Sequence, residues 1–77
     1  MPLVRVQVIE DVFSAEQKQE IIAKVTDAMV SIEGENLRQV TWVLVEEVGS
    51  GNWGIAGKGL TSEDVLALQG GTVSAAG

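Results

Sequence analysis

Two runs of alternating apolar residues flank one helical stretch in a chain of 77 residues, and this limits the possible fold more than any other feature. In the first run, residues 3–9, Val4, Val6 and Val8 fall on one side and Leu3, Arg5, Gln7 and Ile9 on the other, which is the period of a strand. The second run, from about residue 39 to residue 48, sets Thr41, Val43 and Val45 against Trp42, Leu44 and Glu46. Between the runs, Ile21, Ile22, Val25, Ala28, Met29 and Ile32 recur at helical spacing and predict one apolar stripe. Ser14 is placed to cap that helix. Gln17 completes a capping box, and Glu16 is favourable in the first turn. Gly34 is suited to the position just past the helix end. Two strands joined by such a helix predict a right-handed parallel β-α-β crossover, with Asp11, Val12 and Phe13 as the first connection.

The rest of the chain holds smaller elements. Residues 49–59 are glycine-rich, Thr61 is placed to cap a short helix over residues 62–68, and residues 70–77 read as a loose tail. No internal repeat is visible, so residues 1–77 are expected to form a single domain. One helix covers one face of a two-stranded sheet. The other face would carry Leu3, Ile9, Trp42 and Leu44, with no remaining element large enough to cover it. Uncovered apolar faces and open strand edges mark interfaces. A chain of this size also buries little surface alone, and 45% of its residues are hydrophobic. Self-association is the expected outcome.

Composition removes whole classes of chemistry. There is no cysteine and no histidine. Disulfides, thiol nucleophiles, Ser-His pairs and the usual zinc sites are therefore excluded. The net charge is -6, and the five basic residues Arg5, Lys18, Lys24, Arg38 and Lys58 are scattered, so no basic stripe exists for nucleic acid. No apolar run is long enough to span a bilayer and no signal-peptide layout is present, so a cytoplasmic protein is expected.

Several motifs have a plain reading. Gly49-Ser50-Gly51-Asn52-Trp53-Gly54 matches G-x-G-x-x-G, but no helix opens at its end and no further strand carries an acidic residue, so a turn or hairpin is expected. Glu46 and Glu47 are adjacent on a strand and point to opposite faces. Arg5 and Glu46 share a face and are expected to pair if the strands are neighbours. Arg38, just before the second strand, reads as a solvated loop arginine.

Pro2 differs in kind. It is the one proline, and proline alone has a secondary α-amine. Methionine before a small residue is normally removed, which would leave Pro2 with a free amine. A free α-amine has a pKa of about 7.7–8.0. An apolar pocket disfavours its charged form and lowers that value, so the amine becomes a proton acceptor near neutral pH. In a chain without His or Cys it is the best available group for proton transfer.

Taken together, the chain resembles the 4-oxalocrotonate tautomerase family. The resemblance rests on Pro2 opening a short strand, on Ser14-Ala15-Glu16-Gln17-Lys18 opening the helix, and on Gly51-Asn52-Trp53-Gly54-Ile55-Ala56-Gly57 after the second strand. The family carries similar S-x-E-Q-K and G-x-F-G-I-G-G segments, and the likeness covers about residues 2–60. It implies an α+β, MIF-like β-α-β protomer, paired into dimers with four-stranded sheets and assembled as a homohexamer, a trimer of dimers. It also implies that the amino-terminal proline moves a proton between the oxygen and carbon sides of an enol, with no cofactor and no metal. Catalysis then requires removal of Met1.

The departures shape the expected substrate. The family's two substrate-binding arginines are absent; one falls at Val12 or Phe13, the other within the second strand at Trp42. The family's aromatic pocket residue is retained as Trp53. Its dehalogenase and hydratase branch adds an acidic residue where this chain has Ile55, and an arginine where it has Ile9. The expected site is therefore Pro2 as catalyst, with Trp53, Trp42, Ile9, Phe13, Ile55 and Arg38 around the substrate, contributed by several chains. Such a pocket suits a hydrophobic or aromatic enol acid. A hydratase or dehalogenase of the same superfamily, or a non-enzymatic oligomeric relative, is the alternative.

Overall fold

The structure, a computed structural model of the chain, describes residues 2–70. Met1 and all of the expected tail except Gly70 lie outside the described residues. The elements are β1 (Leu3–Ile9), α1 (Ala15–Glu33), a 3₁₀ turn (Glu35–Val40), β2 (Trp42–Val48), β3 (Trp53–Ile55), β4 (Lys58–Leu60) and α2 (Ser62–Gln69). They fall into two compact, interleaved units. One holds β1 up to Gln7 together with Phe13–Glu46; the other holds Val8–Val12 and the chain from Glu47 onward.

In the first unit, the alternation read from the sequence is the alternation of exposure. Val4, Val6, Val43 and Val45 are half-buried, while Leu3, Arg5, Trp42, Leu44 and Glu46 are exposed. β1 and β2 are hydrogen-bonded neighbours. They run parallel, because Trp42 N–H donates to the Pro2 carbonyl at one end and Glu10 N–H donates to the Val48 carbonyl at the other, at 3.0 and 2.8 Å. Ion pairs of the helical segments include Lys24–Glu20, Arg38–Asp27 and Arg38–Glu35. Among the described residues the expected Arg5–Glu46 pair is not formed, and both side chains are exposed.

Helix α1 starts as its sequence dictates. The Ser14 hydroxyl accepts from Gln17 N–H at 3.1 Å, and the Gln17 side chain accepts from Ser14 N–H at 2.9 Å. The helix ends at Gly34, whose N–H returns to the Val30 carbonyl. The apolar stripe is corrected at its C-terminal end: Val30 is buried, and Ile32 is 85% exposed. At about 100° per residue, Ile32 lies roughly 200° round from Val30 and faces outward. Thr26 occupies the inner row instead, and its hydroxyl bonds the Ile22 carbonyl at 2.7 Å.

The second strand begins three residues later than its alternation suggests. Residues 35–40 close 3₁₀-type bonds, Leu37 N–H to the Gly34 carbonyl and Thr41 N–H to the Arg38 carbonyl, each at 3.2 Å. Side chains there bond locally or back to α1, and such bonds compete with strand pairing.

In the second unit, the glycine-rich stretch is a hairpin. β3 and β4 are antiparallel, with Trp53 opposite Leu60, Gly54 opposite Gly59 and Ile55 opposite Lys58. The two turn residues, Ala56 and Gly57, have φ of 52° and 81°. Positive φ at both central positions is the tight hairpin turn that matches strand twist. Gly59 is required for a different reason. A Cβ there would stand 2.5 Å from the Gly51 carbonyl oxygen. Helix α2 is capped by Thr61, whose hydroxyl accepts from Asp64 N–H while the Asp64 carboxylate accepts from Thr61 N–H. The backbone N–H and then the hydroxyl of Thr61 hold the Asp64 carboxyl below its ordinary pKa.

Ile9 is a further correction. Face parity places it with the uncovered residues, yet it is 5% exposed, whereas Leu3 and Trp42 remain 51% and 56% exposed. The chain leaves β1 through Asp11, at φ 63°. Glu10 is then held by distant residues of the same unit. Its carboxylate accepts from Ser50 N–H at 2.8 Å, and its carbonyl accepts from the Ser62 hydroxyl at 2.5 Å. A count of faces over two strands and one helix does not contain these contacts.

Candidate active site

Pro2 stands at the entrance to β1 and is half-buried. Its carbonyl is fixed by Trp42 N–H at 3.0 Å, so the start of β2 holds the start of β1. Of the residues expected around the substrate, Trp42 is thus the one joined to Pro2 by a hydrogen bond. Its indole is 56% exposed on the open side of the strands. An exposed indole there offers a flat apolar surface to a ligand or to another chain.

Phe13 is half-buried just before the helix cap. It lines an open groove of about 380 Å³ along α1, together with Gln17, Glu20, Ile21, Lys24 and Val25. Neither Pro2 nor Trp42 lines that groove, so Phe13 is displaced from the pair that the hydrogen bond brings together.

Arg38 is more constrained than a solvated loop arginine. Its Nε donates to Glu35 at 2.6 Å and its Nη1 to Asp27 at 2.8 Å. Those bonds, Glu35's first and Asp27's second, push its already high pKa further up. The guanidinium is permanently charged, and two of its donor nitrogens are already engaged. A substrate carboxylate would have to use its other N–H groups or displace Glu35 or Asp27.

In the second unit, Trp53 and Ile55 lie two residues apart on β3 and therefore on one face of the hairpin. Trp53 is half-buried and Ile55 is 54% exposed. Ile9 is buried in this unit, so it supplies packing rather than an open surface. Thr41 was not singled out in the sequence, yet it carries three contacts at the junction before Trp42: its N–H with Arg38, and its hydroxyl with Leu37 and Glu33. The available signal was a hydroxyl residue between a helical end and a strand.

Among the described residues, no group of three or more carboxylates is placed to hold a metal ion. No helix among them is long and apolar enough to cross a membrane.

The sequence profile described as "Tautomerase enzyme" matches residues 2–63. "Probable tautomerase K2" of Dickeya dadantii (strain 3937) is 41% identical over 61 residues, which is 79% of this chain and 90% of that protein. A structure from the 4-oxalocrotonate tautomerase isozymes of Methylibium petroleiphilum superposes with a TM-score of 0.67 at 31% identity, covering 83% of this chain and 97% of that one. DmpI of Helicobacter pylori superposes with a TM-score of 0.68 at 30% identity, covering 77% and 95%. These likenesses agree with the small β-α-β fold and support a tautomerase-type, isomerising activity. The chain belongs to the tautomerase family.

Proposed function

We propose that the protein is a cofactor-independent keto–enol tautomerase in which Pro2, freed by removal of Met1, is the general acid and base. The observation that carries this reading is the position of Pro2. It opens β1 half-buried, and its carbonyl is fixed by Trp42 N–H at 3.0 Å. The neutral amine takes the proton from the enol oxygen as the carbonyl forms. The resulting ammonium returns a proton to the carbon end of the former double bond, so the sum is an isomerisation with no oxidant, reductant or added water. Partial burial favours the neutral amine, as the mechanism needs.

The substrate class follows from the residues that the family resemblance assigns to the pocket, drawn from several chains. Trp42, Trp53, Phe13 and Ile55 are apolar, and the family's arginine positions hold none. We take Arg38, which is paired with Glu35 and Asp27, to hold a single substrate carboxylate in competition with them. A hydrophobic or aromatic enol with one carboxylate fits this set. The exposed apolar row of Leu3, Trp42 and Leu44 supports self-association, which we take to be a homohexamer of three dimers with four-stranded sheets. We take residues 1–77 to act as one domain in the cytoplasm.

The test is direct. Processed protein, with loss of Met1 established by intact mass, should tautomerise a simple aryl-pyruvate enol. Pro2→Ala should lose about 10²–10⁴-fold in rate, the usual contribution of general acid–base catalysis. Equal activity in processed wild type and Pro2→Ala would remove Pro2 from the mechanism.

A further inference from the structure

We propose that Thr41 is a positioning residue for Pro2, an inference that rests on the reading of Pro2 as the base. Thr41 is half-buried between the 3₁₀ turn and β2. Its N–H donates to the Arg38 carbonyl at 3.2 Å. Its hydroxyl lies against two acceptors, the Glu33 carboxylate at the end of α1 and the Leu37 carbonyl at 2.8 Å. Backbone and side chain together fix the residue at which the turn stops and the strand begins. The next N–H along the chain, that of Trp42, holds the Pro2 carbonyl.

That carbonyl matters because of what proline leaves free. With the ring closed, the orientation of an amino-terminal prolyl amine against its strand is set by the one remaining backbone torsion, ψ. Anchoring the carbonyl anchors ψ, and with it the direction of the nitrogen lone pair. A β2 that began one residue earlier or later would present the wrong N–H to Pro2 and turn its side chains to the other face. The Glu33–Thr41 contact therefore aims the amine without touching substrate.

The test uses processed protein and two readouts. The first is kcat and KM on an aryl-pyruvate enol. The second is the ¹⁵N resonance of Pro2 in protein labelled with ¹⁵N-proline, which needs no turnover and is unambiguous because the chain has a single proline. Thr41→Val should lower kcat about tenfold with KM within about twofold, since small misplacements of a catalytic group are costly. It should also move the Pro2 resonance. Thr41→Ser should match wild type on both. Glu33→Ala, which leaves Leu37 as acceptor, should act in the same direction by a smaller factor, and it reads the same link should Thr41→Val fail to fold.

An unmoved Pro2 resonance in Glu33→Ala and in folded Thr41→Val would overturn the proposal, as would a Thr41→Ser variant as impaired as Thr41→Val. The two readings separate cleanly. If Pro2→Ala stays active while the Thr41→Val resonance moves, the base assignment fails and the positioning link stands. If Pro2→Ala is inactive and the resonance is unmoved, the link fails alone.

Discussion

Replacing Ser62 by alanine tests the clasp that holds the end of β1. Ser62 is 3% exposed, and its hydroxyl donates to the Glu10 carbonyl at 2.5 Å. Its own N–H donates to the Ser50 hydroxyl at 2.9 Å. Alanine keeps the N–H contact but leaves the Glu10 carbonyl without that donor in a part-buried place. A buried polar group deprived of its partner costs about 1–3 kcal/mol. Alanine at the first position of α2 recovers up to roughly 0.5 kcal/mol in helix propensity. The net loss is about 1.5 kcal/mol, close to tenfold in the folding equilibrium. For a chain of this size that is about 6–12 °C in Tm. The assay is urea or thermal unfolding at one fixed protein concentration, because self-association shifts apparent stability. Ser31→Ala is the control. Ser31 is exposed and its hydroxyl bonds the Ala28 carbonyl of its own helix, so water can replace it, and the loss should stay within about 0.5 kcal/mol. An unchanged midpoint in Ser62→Ala, or an equal loss in Ser31→Ala, would refute the reasoning.

Two further predictions concern substrate and assembly. An arginine holds a carboxylate by a paired, charge-assisted bond, and burying a carboxylate without such a partner costs several kcal/mol. The wild-type protein should therefore turn over a monocarboxylate aryl-pyruvate enol with higher kcat/KM than the dicarboxylate 2-hydroxymuconate. Trp42→Arg should move the preference toward the dicarboxylate; a wild-type preference for the dicarboxylate would mean that a second basic residue, besides Arg38, reaches the site. In light scattering at micromolar concentration the protein should be an oligomer, because Leu3, Trp42 and Leu44 leave an apolar row uncovered. A stable monomer there would contradict this.

The sequence by itself determined whatever is closed within three or four residues. The capping boxes at Ser14 and Thr61 are bonds across three positions, and the hairpin turn at Ala56-Gly57 is a two-residue device. The valine alternation of β1 and β2 needs only the period of a strand. The resemblance to the tautomerase family was legible for the same reason, since its motifs are the helix start and the hairpin. What only the tertiary structure decided involves residues far apart. Ile9 is buried, and the next residue, Glu10, is held by Ser50 and Ser62 through contacts spanning 40 and 52 positions. Arg38 is engaged by Asp27, 11 positions away, so its type and its place before a strand did not reveal its state. The exchange of Ile32 for Val30 on the inner face of α1 depended on the phase in which the helix met the rest of its unit. A periodic pattern fixes that a helix has an apolar side; its exact edge is set by what the helix packs against.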